Sequence, residues 1–279
     1  MEHIHSYYSP NNLYNNIIEG LNSLGKDLTK ITPDDLKPVD EFHIRGDTAT
    51  KELIKLANFT PDMHILDVGC GVGGSTRRLS YETGCHVTGI DLSDEYIDAA
   101  ERLTQLLNMQ DRVKFIAASA LNLPFDDNTF DGAWSIQMNI RSKVQMNMNV
   151  EDKVGWLKEM YRVLKPGARA VLYEVCGNKN SPLYFPVPWA QDTSMNFLVS
   201  PDSYRDLMNS IGFKIEVWND KTDLAQKAFA NMQQPKTESK LPEVGLHMLI
   251  GNDFKTKSYN MRLNLDEERI TLIETLVVK

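Results

Sequence analysis

Two carboxylates and a cluster of glycines carry the first chemical signal in this chain. In Leu66-Asp67-Val68-Gly69-Cys70-Gly71-Val72-Gly73-Gly74-Ser75, the residues Gly69, Gly71 and Gly74 fit a G-x-G-x-x-G spacing. That spacing lets backbone approach a ligand at the start of a helix, where unpaired amides point outward. Asp91 ends the next apolar run, His86-Val87-Thr88-Gly89-Ile90-Asp91, 20 residues beyond Gly71. A carboxylate at the end of a second strand can accept both hydroxyls of an adenosine ribose. The pair predicts a nucleoside ligand; a tight turn followed by a solvated strand end is the bland alternative. Asp67, two residues before the first glycine, would repel a pyrophosphate and counts against a nicotinamide dinucleotide. It favours a ligand with a positive end.

These groups need a scaffold, and the composition allows one. The 279 residues are 42% hydrophobic and 24% charged, enough for a single sizeable core with a small accessory lobe. A net charge of −8 without a basic stripe argues against nucleic acid or an anionic membrane as partner. The apolar runs are too short to span a bilayer, and Met1–Asn12 shows no signal-peptide pattern. Cys70, Cys85 and Cys176 are an odd number at irregular spacings, which suits reduced thiols; a cytoplasmic protein is expected.

Periodicity supplies the elements. Residues 12–25 read as an amphipathic helix closed by Gly25, 31–46 as a loop with two prolines, and 47–59 as a helix with Asp47 as N-cap. From 61 onward, short apolar strands at 63–69, 85–91, 112–119, 129–135 and 168–176 alternate with helical patterns. The helix at 150–167 is expected to end at Pro166-Gly167, and Phe125-Asp126-Asp127-Asn128 to be an Asx-rich hairpin turn between strands rather than a metal site. A helix at 200–213, a strand at 214–220 and a β-branched strand at 269–279 follow. Alternation of this kind predicts a doubly wound α/β core with right-handed crossovers. One domain is expected: residues 1–60 as a helical cap, 61–220 as core, 221–268 as an inserted cap segment and 269–279 as final strand.

A ligand with both a sulfonium and an ammonium, S-adenosyl-L-methionine (SAM), answers the charge of Asp67. The run Leu66 to Gly73, Asp91, Leu123-Pro124-Phe125, Phe130-Asp131 and Leu164-Lys165-Pro166-Gly167 resembles the class I SAM-dependent methyltransferases. That resemblance implies a Rossmann-like seven-stranded sheet, mostly parallel with an antiparallel last strand. It implies SAM as cofactor and S-adenosyl-L-homocysteine as product, with Gly46, Asp67, Gly69, Gly71, Gly73, Asp91, Leu92, Ser119, Ala120 and Leu121 around it. One departure is visible: the family commonly has Gly-Asp-Ala where this chain has Ala118-Ser119-Ala120. A neutral hydroxyl in place of a carboxylate on the adenine amino group weakens that contact by about 1 kcal/mol.

Further stretches are similar to the sarcosine/dimethylglycine N-methyltransferase-like branch, among them Asp40-Glu41-Phe42-His43-Ile44-Arg45-Gly46, Met148-Asn149-Val150-Glu151-Asp152-Lys153 and Phe185-Pro186-Val187-Pro188-Trp189. This implies a small-molecule amine as acceptor. In-line displacement at a methyl sulfonium needs alignment more than covalent help, worth roughly 7–11 kcal/mol, so neither a metal nor a triad is expected. Trp189 is a candidate for an aromatic cage, at about 0.5–2 kcal/mol per contact, or a core plug. Arg45 could grip a carboxylate or be an ordinary surface arginine. His43 could move a proton or simply bond a carbonyl. Tyr7 and Tyr8 could reach the sulfonium. In Ser135–Lys153, Met-Asn occurs three times. Two alignments account for it. In one, Ile136–Lys143 form an added flap and Met148-Asn149 approach the acceptor. In the other, Gln137-Met138-Asn139 stay at the strand end. The first is preferred.

Overall fold

The computed structural model describes residues 12–138, 150–178, 181–230 and 241–279. Its N-terminal helices follow from local chemistry. Helix α1 (Leu13–Ser23) buries Leu13, Ile17 and Leu21 on one stripe. Helix α2 (Pro33–Asp40) occupies the stretch expected as a loop. Pro33 sits at the first helical position, where its missing N–H costs nothing, and the Asp35 carboxylate accepts from both the backbone and the hydroxyl of Thr32 at 2.9 and 2.7 Å. Two prolines marked the start and the interior of a helix, not a loop. Helix α3 (Gly46–Ala57) begins after a left-handed Arg45, not at an Asp47 cap. Asp47 lies in the first turn and pairs with Lys51 and Lys37 at 2.9 and 3.1 Å.

The sheet then builds up through β1 (His64–Val68), α4 (Gly74–Thr83), β2 (His86–Asp91), α5 (Asp94–Leu106), β3 (Val113–Ala117), β4 (Phe130–Ile136), α6 (Val150–Val163), β5 (Leu164–Gly177), α7 (Pro201–Ile211) and β6 (Lys214–Asp220). Helices α8 (Thr222–Phe229), α9 (His247–Ile250) and α10 (Phe254–Asp266) precede β7 (Ile270–Val278). The seven strands stand in the order β3-β2-β1-β4-β5-β7-β6. Neighbours are parallel except around β7, which runs antiparallel to both β5 and β6. This is the Rossmann-like sheet expected. Because β3 and β4 are not neighbours, residues 125–128 do not form a hairpin. They turn over the end of α6, where Arg162 donates to Phe125 O at 2.8 Å and to Asp127 at 2.9 Å. Helix α6 stops at Val163, earlier than Pro166, because Leu164 already pairs with Phe130.

Side chains alternate along the strands into two layers. Ile65, Val87, Trp134 and Val171 pack toward α3, α4 and α5, whereas Leu66, Ile90, Ala133 and Leu172 pack toward α6 and α7. One buried ion pair joins the N-terminal helices to the first layer: Arg77 of α4, fully buried, donates to Asp40 at 2.6 Å. The join is tight, since a Cβ on Gly74 would overlap the backbone of Asp40. Asp40→Ala strands a buried guanidinium and is expected to cost about 3–5 kcal/mol in urea denaturation. A loss below about 1 kcal/mol would mean that Ala100 O and Thr104, its other acceptors, suffice.

Candidate functional site

The strand order reverses between β1 and β4, and open α/β sheets form their crevice beyond the C-terminal ends of strands at such a point. After β1 the chain turns through Gly69, Gly71 and Gly73 with φ of 76°, 56° and 78°, a backbone that side chains resist. Space is as restrictive: a Cβ on Gly69 would lie 2.7 Å from Met138 Cγ, and one on Gly73 would overlap the Phe115 ring. Asp91, 4% exposed, accepts from Gly71 N at 3.1 Å and from Ser93 N at 3.0 Å. Asp67 accepts from the Thr76 hydroxyl at 2.7 Å and the Ser75 hydroxyl at 3.4 Å, so one of its oxygens is tied to the first turn of α4.

The end of β3 lies alongside, with Ala118 N donating to Asp91 O at 2.9 Å. Ser119 is half-buried and its hydroxyl accepts from Leu121 N at 3.2 Å. Ala120 is buried, Leu92 half-buried and Leu121 41% exposed. The structure therefore gathers Asp67, Gly69, Gly71, Gly73, Asp91, Leu92 and Ser119–Leu121 along one edge. Left-handed glycines beside a buried carboxylate, with a hydroxyl one strand further, are a donor set suited to a nucleoside.

On the other side of β1 is a group that the motifs did not reveal. Gln137 follows β4 with φ of 50° and is 1% exposed. Its backbone donates to Tyr173 O at 2.7 Å, and its Oε1 accepts from Ile44 N at 3.2 Å. Its Nε2 has no hydrogen-bond partner among the described residues. A strained, buried donor at a strand end costs stability and commonly marks a functional site. The available signal was a long polar side chain closing the apolar run Gly132–Ile136. Met138 N donates to Glu174 at 3.0 Å, below which Lys153 is buried; burial depresses its ammonium pKa and Glu174 opposes that shift. Ile136, Gln137 and Met138 thus belong to the buried strand end, as the second alignment has it, and not to an added flap. Residues 139–149, with Met148 and Asn149, lie outside the described residues, as do Tyr7 and Tyr8.

The 41–46 segment meets Gln137 through Ile44. His43 is buried; its Nε2 lies 3.1 Å from Gly46 O and 3.0 Å from the Thr50 hydroxyl, which donates to Glu41 at 2.7 Å. Gly46, with φ of 48°, closes the turn by donating to His43 O at 3.1 Å. Arg45 is clamped bidentately by Glu52, at 3.0 and 2.6 Å. Trp189, 2% exposed, sits in the apolar layer with its indole N–H donating to Asn196 at 3.0 Å, while Tyr184 turns outward to Glu267 and Arg269.

Burial pushes the Glu41 carboxyl above its ordinary value of 4.5, and the Thr50 hydroxyl opposes the shift. A raised folded pKa means that the native state holds its proton longer than the unfolded chain. The stability Glu41 contributes is therefore full below the ordinary value and is lost as pH rises through the folded one. Glu41→Gln should flatten this fall, so that its stability relative to wild type improves with rising pH. Denaturation at a series of pH values checks it; a constant difference would refute it.

Comparison with known proteins gives this geometry a context. Residues 65–167 match the family of the methyltransferase domain. Cycloartenol-C-24-methyltransferase 1 of Oryza sativa subsp. japonica is 35% identical over 116 residues, 42% of this chain and 31% of that protein. The chain spans between 31% and 64% of the length of this and two further curated relatives. Among solved structures, phosphoethanolamine N-methyltransferase 2 of Haemonchus contortus, in complex with phosphomonomethylethanolamine and S-adenosylhomocysteine, superposes with a TM-score of 0.68 at 18% identity, covering 93% of this chain and 59% of that one. A putative sarcosine dimethylglycine methyltransferase from Galdieria sulphuraria superposes with a TM-score of 0.61 at 17% identity, covering 84% of each chain. At these identities the likeness is one of fold.

Proposed function

We propose that this chain, whose residues 65–167 match the methyltransferase domain family, transfers a methyl group from SAM to a small-molecule amine of the sarcosine or dimethylglycine type. The observation that carries the reading is the left-handed Gly69–Gly71–Gly73 turn beside buried Asp91. When bound, SAM supplies an electrophilic methyl group on a sulfonium. Asp91 would hold the ribose hydroxyls on its remaining lone pairs, and Leu92, Ser119, Ala120 and Leu121 would flank the adenine. Asp67 places negative charge under the turn, and Gly46 and His43 shape the mouth at the methionine end. Residues 1–60 and 221–268 serve as the cap of a single domain.

Acceptor recognition falls to the groups around the end of β4, and Met148, Asn149, Tyr7 and Tyr8, which lie outside the described residues, are assigned to it as well. Arg45 reaches an acceptor carboxylate only by leaving Glu52, so we assign it first to holding the 41–46 segment in place. Trp189 offers the acceptor a ring edge at most, given its burial. Gln137 directs its Nε2, which has no partner among the described residues, toward an acceptor oxygen. A second reading, methyl transfer to carbon or oxygen of another metabolite, is favoured by the sterol-type relative and by the neutral Gln137 at the strand end.

Three measurements test the proposal, the first of which separates the two readings. SAM with a panel of glycine, sarcosine, dimethylglycine, phosphoethanolamine and phenols, read by mass spectrometry, should yield a methylated amine. Methylation of a phenol alone would move the function to the second reading. Asp91→Ala should weaken SAM binding by about 1.5–3 kcal/mol in calorimetry; unchanged affinity would sink the cofactor assignment. Gln137→Met should lower kcat/KM for the accepted substrate about tenfold or more, with SAM affinity held within about twofold. An equal loss in both would give Gln137 a packing role.

A further inference from the structure

The opposite, N-terminal edge of the sheet holds a second polar cleft. Strand register places its members together. His64 of β1 is level with His86 of β2, and Thr88, two residues on, is level with Lys114 of β3. Side chains level across neighbouring strands project to one face, so His64, His86, Thr88 and Lys114 share a side. It is the side away from α4 and α5, since Val113 and Phe115 point to the layer under α5 while Lys114 and Ile116 are exposed. With Asp111 and Arg112 from the preceding turn, they line a cavity of 360 Å³, within the range of small-molecule sites.

The charges there are mainly positive, in a chain whose net charge is −8. Lys114 and Arg112 face one carboxylate, Asp111. Behind the cavity, Asp131 of β4 accepts from His64 N at 2.9 Å and is neutralised by Lys165 of β5 at 2.5 Å. His64 holds the Thr88 hydroxyl at 2.8 Å, and its ring packs on Phe130, 4.7 Å between centroids. Its pKa is depressed, first by burial and then by His86, Lys114 and Lys165, with Asp131 opposing. Cationic groups brought within mutual repulsion on an uncovered sheet face are what an oxyanion would relieve. A metal ion does not suit the site: among the described residues no three histidine, cysteine or carboxylate groups converge for one.

We propose that this cleft, between the N-terminal ends of β1, β2 and β3, binds a small phosphoryl anion separate from the methyl-transfer edge. Lys114 and Arg112 supply charge, His86 and His64 supply N–H donors, and Thr88 supplies a hydroxyl. Anion binding raises the His64 pKa, so binding takes up protons and tightens as pH falls.

The test uses the full chain with labelled histidines, titrated with inorganic phosphate and with pyrophosphate at constant ionic strength made up with sodium chloride. The His64 and His86 Cε1 signals should move together and saturate, more tightly at about pH 6 than at about pH 8. Lys114→Glu, at an exposed position, should weaken binding about tenfold or more without lowering the unfolding temperature or SAM affinity. Pyrophosphate binding about tenfold tighter than phosphate would identify a diphosphate; equal affinities would identify a single phosphoryl group. Shifts that do not saturate, that chloride reproduces, or that Lys114→Glu leaves unchanged would overturn the proposal.

Discussion

The Asp91 carboxylate ties together the ends of two strands. One oxygen accepts from Gly71 N in the turn after β1, the other from Ser93 N at the cap of α5. A nearly buried carboxylate is costly without donors, so the chain supplies two amides by bending the glycine turn into left-handed space. Only glycine takes that path cheaply, and three lie on it. Everything else at the C-terminal edge adapts to the turn: Met138 and Phe115 close on it from either side, and α4 starts where it ends.

The N-terminal helices complete this arrangement rather than merely covering it. Asp40 ends α2 and holds Arg77 of α4; the next residues, Glu41 to Gly46, form a polar knot with Thr50 and deliver Ile44 N to Gln137. Movement of α2 would therefore be felt at the strand end through covalent neighbours, without passing through the sheet. Arg45, Glu52 and Lys221 add a charged clasp between α3 and the start of α8, continued by Glu274 of β7.

Legibility in the sequence followed the range of the physics. The glycine turn, Asp91 and the alternation of strands with helices depend on local spacing and on short apolar runs, and they were readable; the antiparallel last strand came only with the family resemblance. The α2 helix was missed because two prolines outweighed a Thr-Pro-Asp-Asp start, although proline at a first helical position favours a helix. The Asp47 cap failed because the cap lay two residues earlier, at a left-handed Arg45 that no local rule predicts. The Glu41–His43–Thr50 knot is local but follows no periodicity, and the partners of Gln137 stayed hidden for another reason: they lie in distant segments. The Gln137–Ile44 bond spans 93 residues. Arg45 and Trp189 were legible as residue types, but their partners, Glu52 and Asn196, were not.

The placing of β7 has a consequence for the order in which the molecule assembles. This strand follows β6 in the chain yet lies between β5 and β6. During synthesis β6 emerges with no neighbour available, since among the described residues its sheet partner is β7 alone. It must wait, edges unpaired, while α8, α9 and α10 are made. The parallel half of the sheet, β3 to β5, can close before that. The nascent protein thus passes through a stage in which the nucleoside-type edge is built while one flank of β5 is bare, a ladder of free amides and carbonyls open to mispairing. Inserting β7 fills that gap and captures β6 in one event.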